Sequence, residues 1–569
     1  MTERTEIPVE FRCIVTLGID FDGPSHEVGR GIAPLGIHSW GRYSARSGIP
    51  RHMEMLSRHG VPCTFFVPGY DARCHPDTVR AIDAAGFEVA AHGYLHEAWD
   101  LEEAEESRLL HQTDDILRDL LGKPVLGWRS PSGRKTQNTM RVLKSLGYIY
   151  DSSDKDYDLP YRLRFGGGKD DWMVELPNNT YSLDDFPFYK FSYTPPSEVL
   201  AQWQSEFDAV YASDRFFVLT VHPRSGWGSG TPRAHAHPGP DDRLHAQPRR
   251  RAFLFLRPVR PLVSGSSAAA RRGDHPMKPF TWPEGIRCAV FVSVNFDAEA
   301  YDLMSTTESR LFGRFSYGRY GVRAGLPRLL RCFQRRDIRA TVFVTADDAL
   351  RHPEAVRELS GAGHEVASRG RDLKPLPLLG TGEGEVLLRA RDALAKIVGA
   401  SPAGFRAPGG ELGANTLRLL AELGYRYDAS FQDADHPYLF APTETFRLVE
   451  VPGMQALDDS LVYSARHTHA RLMKIWREEF DALYDAGCLV PLTLHLRGDM
   501  GSTRAARIAA LDGLFSYIAS RPGVCFMTGA ELAALALSSG QEPEPDPIVL
   551  HQSTLAVTPY RGDLAVKPI

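Results

Sequence analysis

Runs of apolar residues long enough to cross a bilayer are missing from this 569-residue chain. No stretch reaches the ~18 residues that a spanning helix requires, so no membrane partner is expected. The N-terminus, MTERTEIPVEF, is charged and has no apolar core for export. A basic excess is missing too: 66 Lys and Arg stand against 71 Asp and Glu, a net charge of −5. Without a broad cationic surface, nucleic acid is not an expected partner. Cysteine is sparse, with seven residues scattered and none closely paired. That pattern fits free thiols in a reducing compartment better than a disulfide framework, and the expected location is cytoplasmic. What remains is the composition of a soluble globular protein, 43 % hydrophobic and 24 % charged. The length points to more than one domain.

The chain repeats itself. FRCIVTLGIDFD at 11–22 matches IRCAVFVSVNFD at 286–297, an offset of 275. SWGRYSARSGIPR at 39–51 matches SYGRYGVRAGLPR at 316–328, an offset of 277. HPDTVRAIDAAGFEVAAHG, GWRSPSG and LGYIYDSS recur as HPEAVRELSGAGHEVASRG, GFRAPGG and LGYRYDAS. VELP followed by LDD, and EFDAVY followed by LTVHP, recur as VEVP with LDD and EFDALY with LTLHL. Blocks in one order at a nearly constant offset mean two copies of one domain.

The copies are unequal. After LTLHL the second continues through a helical stretch into GVCFMTGAELAAL, a strand and a helix, whereas nothing comparable follows LTVHP. The expected organisation is a first domain at 1–233, a linker at 234–276, a second domain at 277–538 and a loose, Pro- and acid-rich tail at 539–569. The linker is rich in Arg, Ala, Pro and His without a period of 2 or 3.6. It reads either as a flexible connector or as a frame-shifted junction of two adjacent genes. Its one strongly apolar run, AFLFL at 252–256, is expected to cover the gap left by the missing strand.

Within the first copy, short apolar runs (12–19, 63–67, 87–91, 125–129, 148–150, 173–176, 216–221) alternate with helical patterns at 48–59, 76–85 and 101–121. This alternation predicts a parallel sheet or barrel. Polar residues stand just past the strands: Asp20, Asp22, His92, His96, Arg129, Asp151, Asn178 and His222. Barrels of this kind place their active sites at these ends. Asp22, His92 and His96 form a plausible divalent-metal set, zinc first, since two imidazoles and a carboxylate leave positions for water and substrate. The HGYLH spacing lets both imidazoles converge if the loop turns helical after His92. Asp20 is the expected base, Arg129 the group that keeps it ionised, and His222 the acid that protonates a leaving nitrogen. Tyr94, Trp99, Asn178 and Asp185 are expected to shape a substrate pocket.

DFDG, TFFVPG, HGYLH, RSPSG and LTVHP, in this order, resemble the NodB-homology polysaccharide deacetylases, carbohydrate esterase family 4. SWGRY…GIPR, VELPNNTYSLDD and EFDAVY…LTVHP resemble the branch with allantoinases, cyclic-imide hydrolases and intracellular peptidoglycan-deacetylase-like proteins. The resemblance implies two tandem deformed (β/α) barrels and, in the first, metal-dependent hydrolysis of a non-peptide C–N bond. It assigns Asp20 as base, Asp22, His92 and His96 as ligands, Arg129 as orienting residue and His222 as acid. DSSDK at 151–155 departs from the family's D-x-x-D-W, which puts a sugar-stacking wall in doubt. The substrate is then a small cyclic amide or ureide, or an N-acetylated sugar. The alternative is a non-catalytic scaffold, because an open first barrel would expose strand edges and invite association into a homo-oligomer. In the second copy Asp20 becomes Asn295, His92 becomes Arg369 and His96 becomes Leu373, while Asp297, Arg406 and His495 persist. Arg369 is expected to pair with Asp297 in place of the ion.

Overall fold

The computed structural model describes residues 13–99, 101–213, 215–234, 251–253 and 280–545. Of the expected linker only Ala234 and Arg251–Phe253 fall within these, and the expected tail beyond Pro545 lies outside the described residues. No helix among the described residues is long and apolar enough to cross a membrane. The chain separates into two compact units, each built on its own sheet.

The first sheet contains β1 (Cys13–Asp20), β2 (Thr64–Val67), β3 (Glu88–Ala91), β4 (Gly127–Trp128), β5 (Tyr150–Asp151), β6 (Tyr161–Arg164), β7 (Trp172–Glu175), β8 (Phe216–Val221) and β9 (Arg251–Phe253). Their order is β6-β7-β5-β4-β3-β2-β1-β8, with β9 added on β1. Every pairing is parallel except β6 with β7. The expected deformed (β/α) barrel is what forms. β2 (TFFV) and β3 (EVAA) are buried at every residue, as parallel strands covered on both faces must be. Pro76 opens the helix Pro76–Ala84, and Gly122, left-handed, ends the helix Glu103–Leu121. The expected strand at 125–129 shortens to two ladder residues, and Tyr161–Arg164 is a strand the sequence pattern did not announce. YRLR has too little apolar alternation to be read as one, and it becomes a strand by pairing with β7 across the Gly-rich turn that follows it.

β9 bears on the missing strand. Cys13, Ile14 and Val15 of β1 face Arg251, Ala252 and Phe253. The rest of the AFLFL run, 254–256, lies outside the described residues.

The second sheet contains β10 (Cys288–Asn295), β11 (Thr341–Val344), β12 (Glu365–Ser368), β13 (Gly404–Phe405), β14 (Tyr427–Asp428), β15 (Tyr438–Ala441), β16 (Leu448–Glu450), β17 (Val490–His495), β18 (Val524–Phe526) and β19 (Glu544–Pro545). Its order is β17-β10-β11-β12-β13-β14-β16-β15-β19, with β18 on β10. Cys288, Ala289 and Val290 face Val524, Cys525 and Phe526, the register in which β9 meets β1. A helix, Gly529–Ser538, then buries Leu532, Ala533 and Ala536 against the sheet. The first unit shows no counterpart to this helix among the described residues.

Candidate metal centre

The ends of β1, β3, β4 and β8 bring the predicted residues together. Asp20 is the last residue of β1. Asp22 leaves the strand with φ 30°, a left-handed backbone that Asp tolerates better than most residues. Its turn is fixed from both sides. Asp71 accepts from Gly23 N at 2.9 Å and Ser25 N at 3.0 Å, and Arg224 Nη1 donates to Asp22 O at 3.2 Å. Arg224 is itself tied to the buried Glu27. His92 follows β3 and reaches His96 through a tight turn, not the helical turn expected from the spacing. Gly93 (φ 68°) and His96 (φ 54°) are left-handed, and the Glu97 carboxylate gathers Tyr94 N at 3.1 Å and Leu95 N at 2.7 Å.

The donor set fits a divalent ion. Asp22 Oδ1 lies 3.5 Å from His92 Nε2 and 3.4 Å from His96 Nε2, and buried Oδ1 has no hydrogen-bond partner. Ligands ~2.1 Å from a tetrahedral ion stand roughly 3.4 Å apart. One ligand atom from each residue falls within 4.8 Å of the others. His92 Nδ1 bonds to Arg129 O at 2.9 Å, which leaves Nε2 facing the carboxylate. Burial works against the charge of Asp22, but His96 and His92 hold its carboxyl well below the usual range. Two other acidic groupings in this unit are already closed. Asp151, Asp154 and Glu175 surround the Lys135 ammonium, and Asp184 and Asp185 surround His222.

Arg129 Nη1 donates to Asp20 Oδ1 at 2.7 Å, and its Nη2 donates to Ser152 Oγ at 3.1 Å. His222 Nε2 lies 3.9 Å from both Asp20 Oδ2 and Asp22 Oδ2. On its far side, Nδ1 bonds to Asp185 Oδ1 at 2.6 Å. Burial opposes a charged imidazole, but Asp185 and Asp184 carry the His222 pKa up to about 10.

The four expected pocket residues each make defined contacts within the fold. Asp185 is fully buried and also accepts from His222 N at 3.0 Å and Ser229 N at 2.7 Å, so both its oxygens are spent on holding the His222 loop. Tyr94 packs into a core cluster with Val28, Tyr70, Leu95 and Leu109. Trp99 packs against Trp128 with the ring planes tilted by 57° and donates Nε1 to Thr139 Oγ1 at 3.0 Å. Asn178 ties loop to loop, with Nδ2 donating to Ser152 O at 2.9 Å. Large, low-polarity surfaces and buried loop amides draw such residues inward. The aromatic neighbours of the centre are instead Trp227, its ring 5.1 Å from His222, and His26, 4.9 Å from His96. Sequence reasoning missed Trp227, His26, Arg224 and the role of Asp185. The recurrence of LDD and of an Arg two residues past each strand-end His was the available signal for the last two.

In the second unit Arg369 pairs with Asp297 as expected: Nε to Oδ1 at 2.8 Å and Nη2 to Oδ2 at 3.3 Å. Leu373 is buried and apolar where His96 stands in the first. His495 keeps its carboxylate, with Nδ1 2.8 Å from Asp459 Oδ1. Among the described residues this unit has no cluster of two histidines and a carboxylate.

Comparisons with known proteins follow the same division. The family model described as polysaccharide deacetylase matches twice, at 41–150 and 314–427. The chain is 30 % identical over 245 residues to a peptidoglycan deacetylase from Helicobacter pylori, an alignment covering 37 % of this chain and 83 % of that protein. It is 26 % identical over 254 residues to a peptidoglycan deacetylase-like protein from Gibberella zeae, covering 37 % and 75 %. A solved structure of a polysaccharide deacetylase-type protein from Mycobacterium smegmatis is 33 % identical, covering 48 % of this chain and 97 % of that one, with a TM-score of 0.45. An allantoinase structure is 27 % identical, covering 46 % and 93 %, with a TM-score of 0.42.

Proposed function

The chain belongs to the polysaccharide deacetylase family, and on that premise we propose that its first domain is a metal-dependent hydrolase of a non-peptide C–N bond. The observation that supports this reading is the convergence of Asp20, Asp22, His92, His96 and His222 at one end of the sheet, around a carboxylate oxygen with no hydrogen-bond partner. In this reading Asp22, His92 and His96 hold a divalent ion, zinc by their donor chemistry. Bound there, the ion supplies Lewis acidity toward a carbonyl and a water molecule.

The other residues divide the proton work. Asp20 accepts the proton of the attacking water, and Arg129 aims that carboxylate through its hydrogen bond to Oδ1. His222 enters as imidazolium and gives its proton to the departing nitrogen. Asp185 fixes the ring so that Nε2 faces the centre, which makes it a positioning residue rather than a substrate contact. The proposed substrate is an N-acetylated sugar or a small cyclic amide or ureide. A deacetylase and an allantoinase among the similar proteins support both classes, and Lys155 in place of the family's aromatic residue supports the smaller one. The test is turnover of N-acetylglucosamine oligomers, allantoin and succinimide, with and without a chelator. Chelator-sensitive release of acetate or ring-opened product supports the reading. A purified chain that binds no divalent ion overturns it in favour of a scaffold.

A further inference from the structure

The second domain contains a buried guanidinium with an unused donor. Arg406 is 6 % exposed; its Nε donates to Ala429 O at 3.0 Å and its Nη1 to Asn295 Oδ1 at 3.2 Å, while Nη2 has no hydrogen-bond partner. The equivalent Arg129 has an acceptor for each group: Ser152 O for Nε, Asp20 for Nη1 and Ser152 Oγ for Nη2. Two residue differences account for the deficit. Asn295 stands where Asp20 stood and removes a negative charge, and Ala429 stands where Ser152 stood and removes a hydroxyl.

Arg369 deepens the imbalance. Its Nη1 also donates to Asn295 Oδ1, at 3.2 Å, so one neutral amide oxygen serves two guanidinium groups. The neighbouring carboxylates are committed elsewhere. Asp297 is held by Arg369, and Asp459 by His495 Nδ1 at 2.8 Å, His495 N at 3.2 Å and Ser502 N at 2.7 Å. Asp458 and Asp428 act on Arg406 only across space. Burial and Arg369 lower the Arg406 pKa to about 10, which still leaves it charged at neutral pH. A buried cation without an anion is costly, and charge-assisted bonds to an oxyanion are the strongest remedy available to two guanidiniums. Arg369, Arg406, Asn295 and His495 are 4–7 % exposed, and Arg406 Nη2 itself is buried.

We propose that this strand-end cluster of the second domain binds a small oxyanion, a carboxylate or inorganic phosphate, between Arg406 Nη2 and Arg369. Where the first domain gathers ligands for a cation, the second has become a receptor for an anion. This goes beyond the hydrolase reading and does not rest on it.

The test titrates metal-stripped full-length chain with sodium acetate and, separately, sodium phosphate by calorimetry. One anion bound per chain is expected, and whichever salt saturates the site identifies its source. Asn295→Asp and Ala429→Ser install the residues that the first domain carries, and each supplies Arg406 with an internal partner. Each is expected to weaken binding at least about tenfold, close to 1.4 kcal/mol. No saturable uptake of either anion overturns the proposal, since water alone then satisfies Nη2. Uptake unchanged in both variants also overturns it, because the anion then sits elsewhere.

Discussion

The two domains share a sheet order, a register and a strand-end His held by the second Asp of an LDD sequence, yet among the described residues only the first gathers two histidines and a carboxylate there. Asp22 and Asp297 both keep a left-handed backbone, φ 30° and 28°. Arg224 with Glu27 and Arg497 with Asp302 brace the same turn. Asp71 and Asp348 accept the same pair of backbone amides. The scaffold that presents these side chains is therefore retained where the side chains differ. What changed is the set of side chains at three strand ends, and those changes are coupled. Without the two imidazoles Asp297 would be a buried lone charge, and Arg369 neutralises it from the position that His92 holds in the first domain.

Experiments that break this contrast should have effects of graded size. His92→Ala and His96→Ala are expected to abolish both divalent-metal uptake and turnover, read by metal analysis and activity. The wild-type chain should carry one tightly bound ion, not two. Two per chain would make the domains equivalent and remove the contrast altogether. Asp20→Asn should keep the ion and lose about 10²–10⁴-fold in kcat, the range for a missing general base. An active Asp20→Asn variant would place the base elsewhere.

Asp185→Asn sharpens the comparison through pH. His222 must carry a proton to act as the acid, so activity falls as pH rises through its pKa. Asp185 contributes most to raising that pKa to about 10, against the opposing effect of burial. Without it the pKa drops, and the alkaline limb of the kcat–pH profile is expected to move to lower pH, with roughly 10²-fold lower activity at alkaline pH. An unmoved limb would assign the acid to another group.

Arg369→Met probes the second domain. It leaves Asp297 buried without a countercharge, an expected loss of about 3–5 kcal/mol in that domain's stability by chemical denaturation. Metal content and turnover should not change. Ala252→Pro has the smallest expected effect. It removes one backbone donor from β9, about 1 kcal/mol if that donor lies on the β1 side, with one-metal stoichiometry unchanged. Cys525→Pro, the matching position in β18, should behave alike if the two strands close their barrels in the same way.

The duplication, the barrel class and the convergence of Asp22, His92 and His96 were legible in the sequence because each depends on residue identity at fixed spacing. Strand-end Asp22, His92 and His96 follow runs whose burial their own composition dictates, and the replacement of both histidines by Arg369 and Leu373 is visible by alignment alone. The HGYLH turn was legible as a convergence but not as a conformation, since Gly93 and the Glu97 carboxylate decide it together. The parts that only the tertiary structure decided are meetings between distant residues. Asp185 reaches His222 across 37 positions, and Arg406 reaches Asn295 across 111. Whether a carboxylate faces a substrate or a histidine, and whether a guanidinium keeps a partner or lacks one, depends on which atoms packing brings within about 3 Å. Residue type and spacing specify the candidates for such contacts, and the curled sheet selects among them.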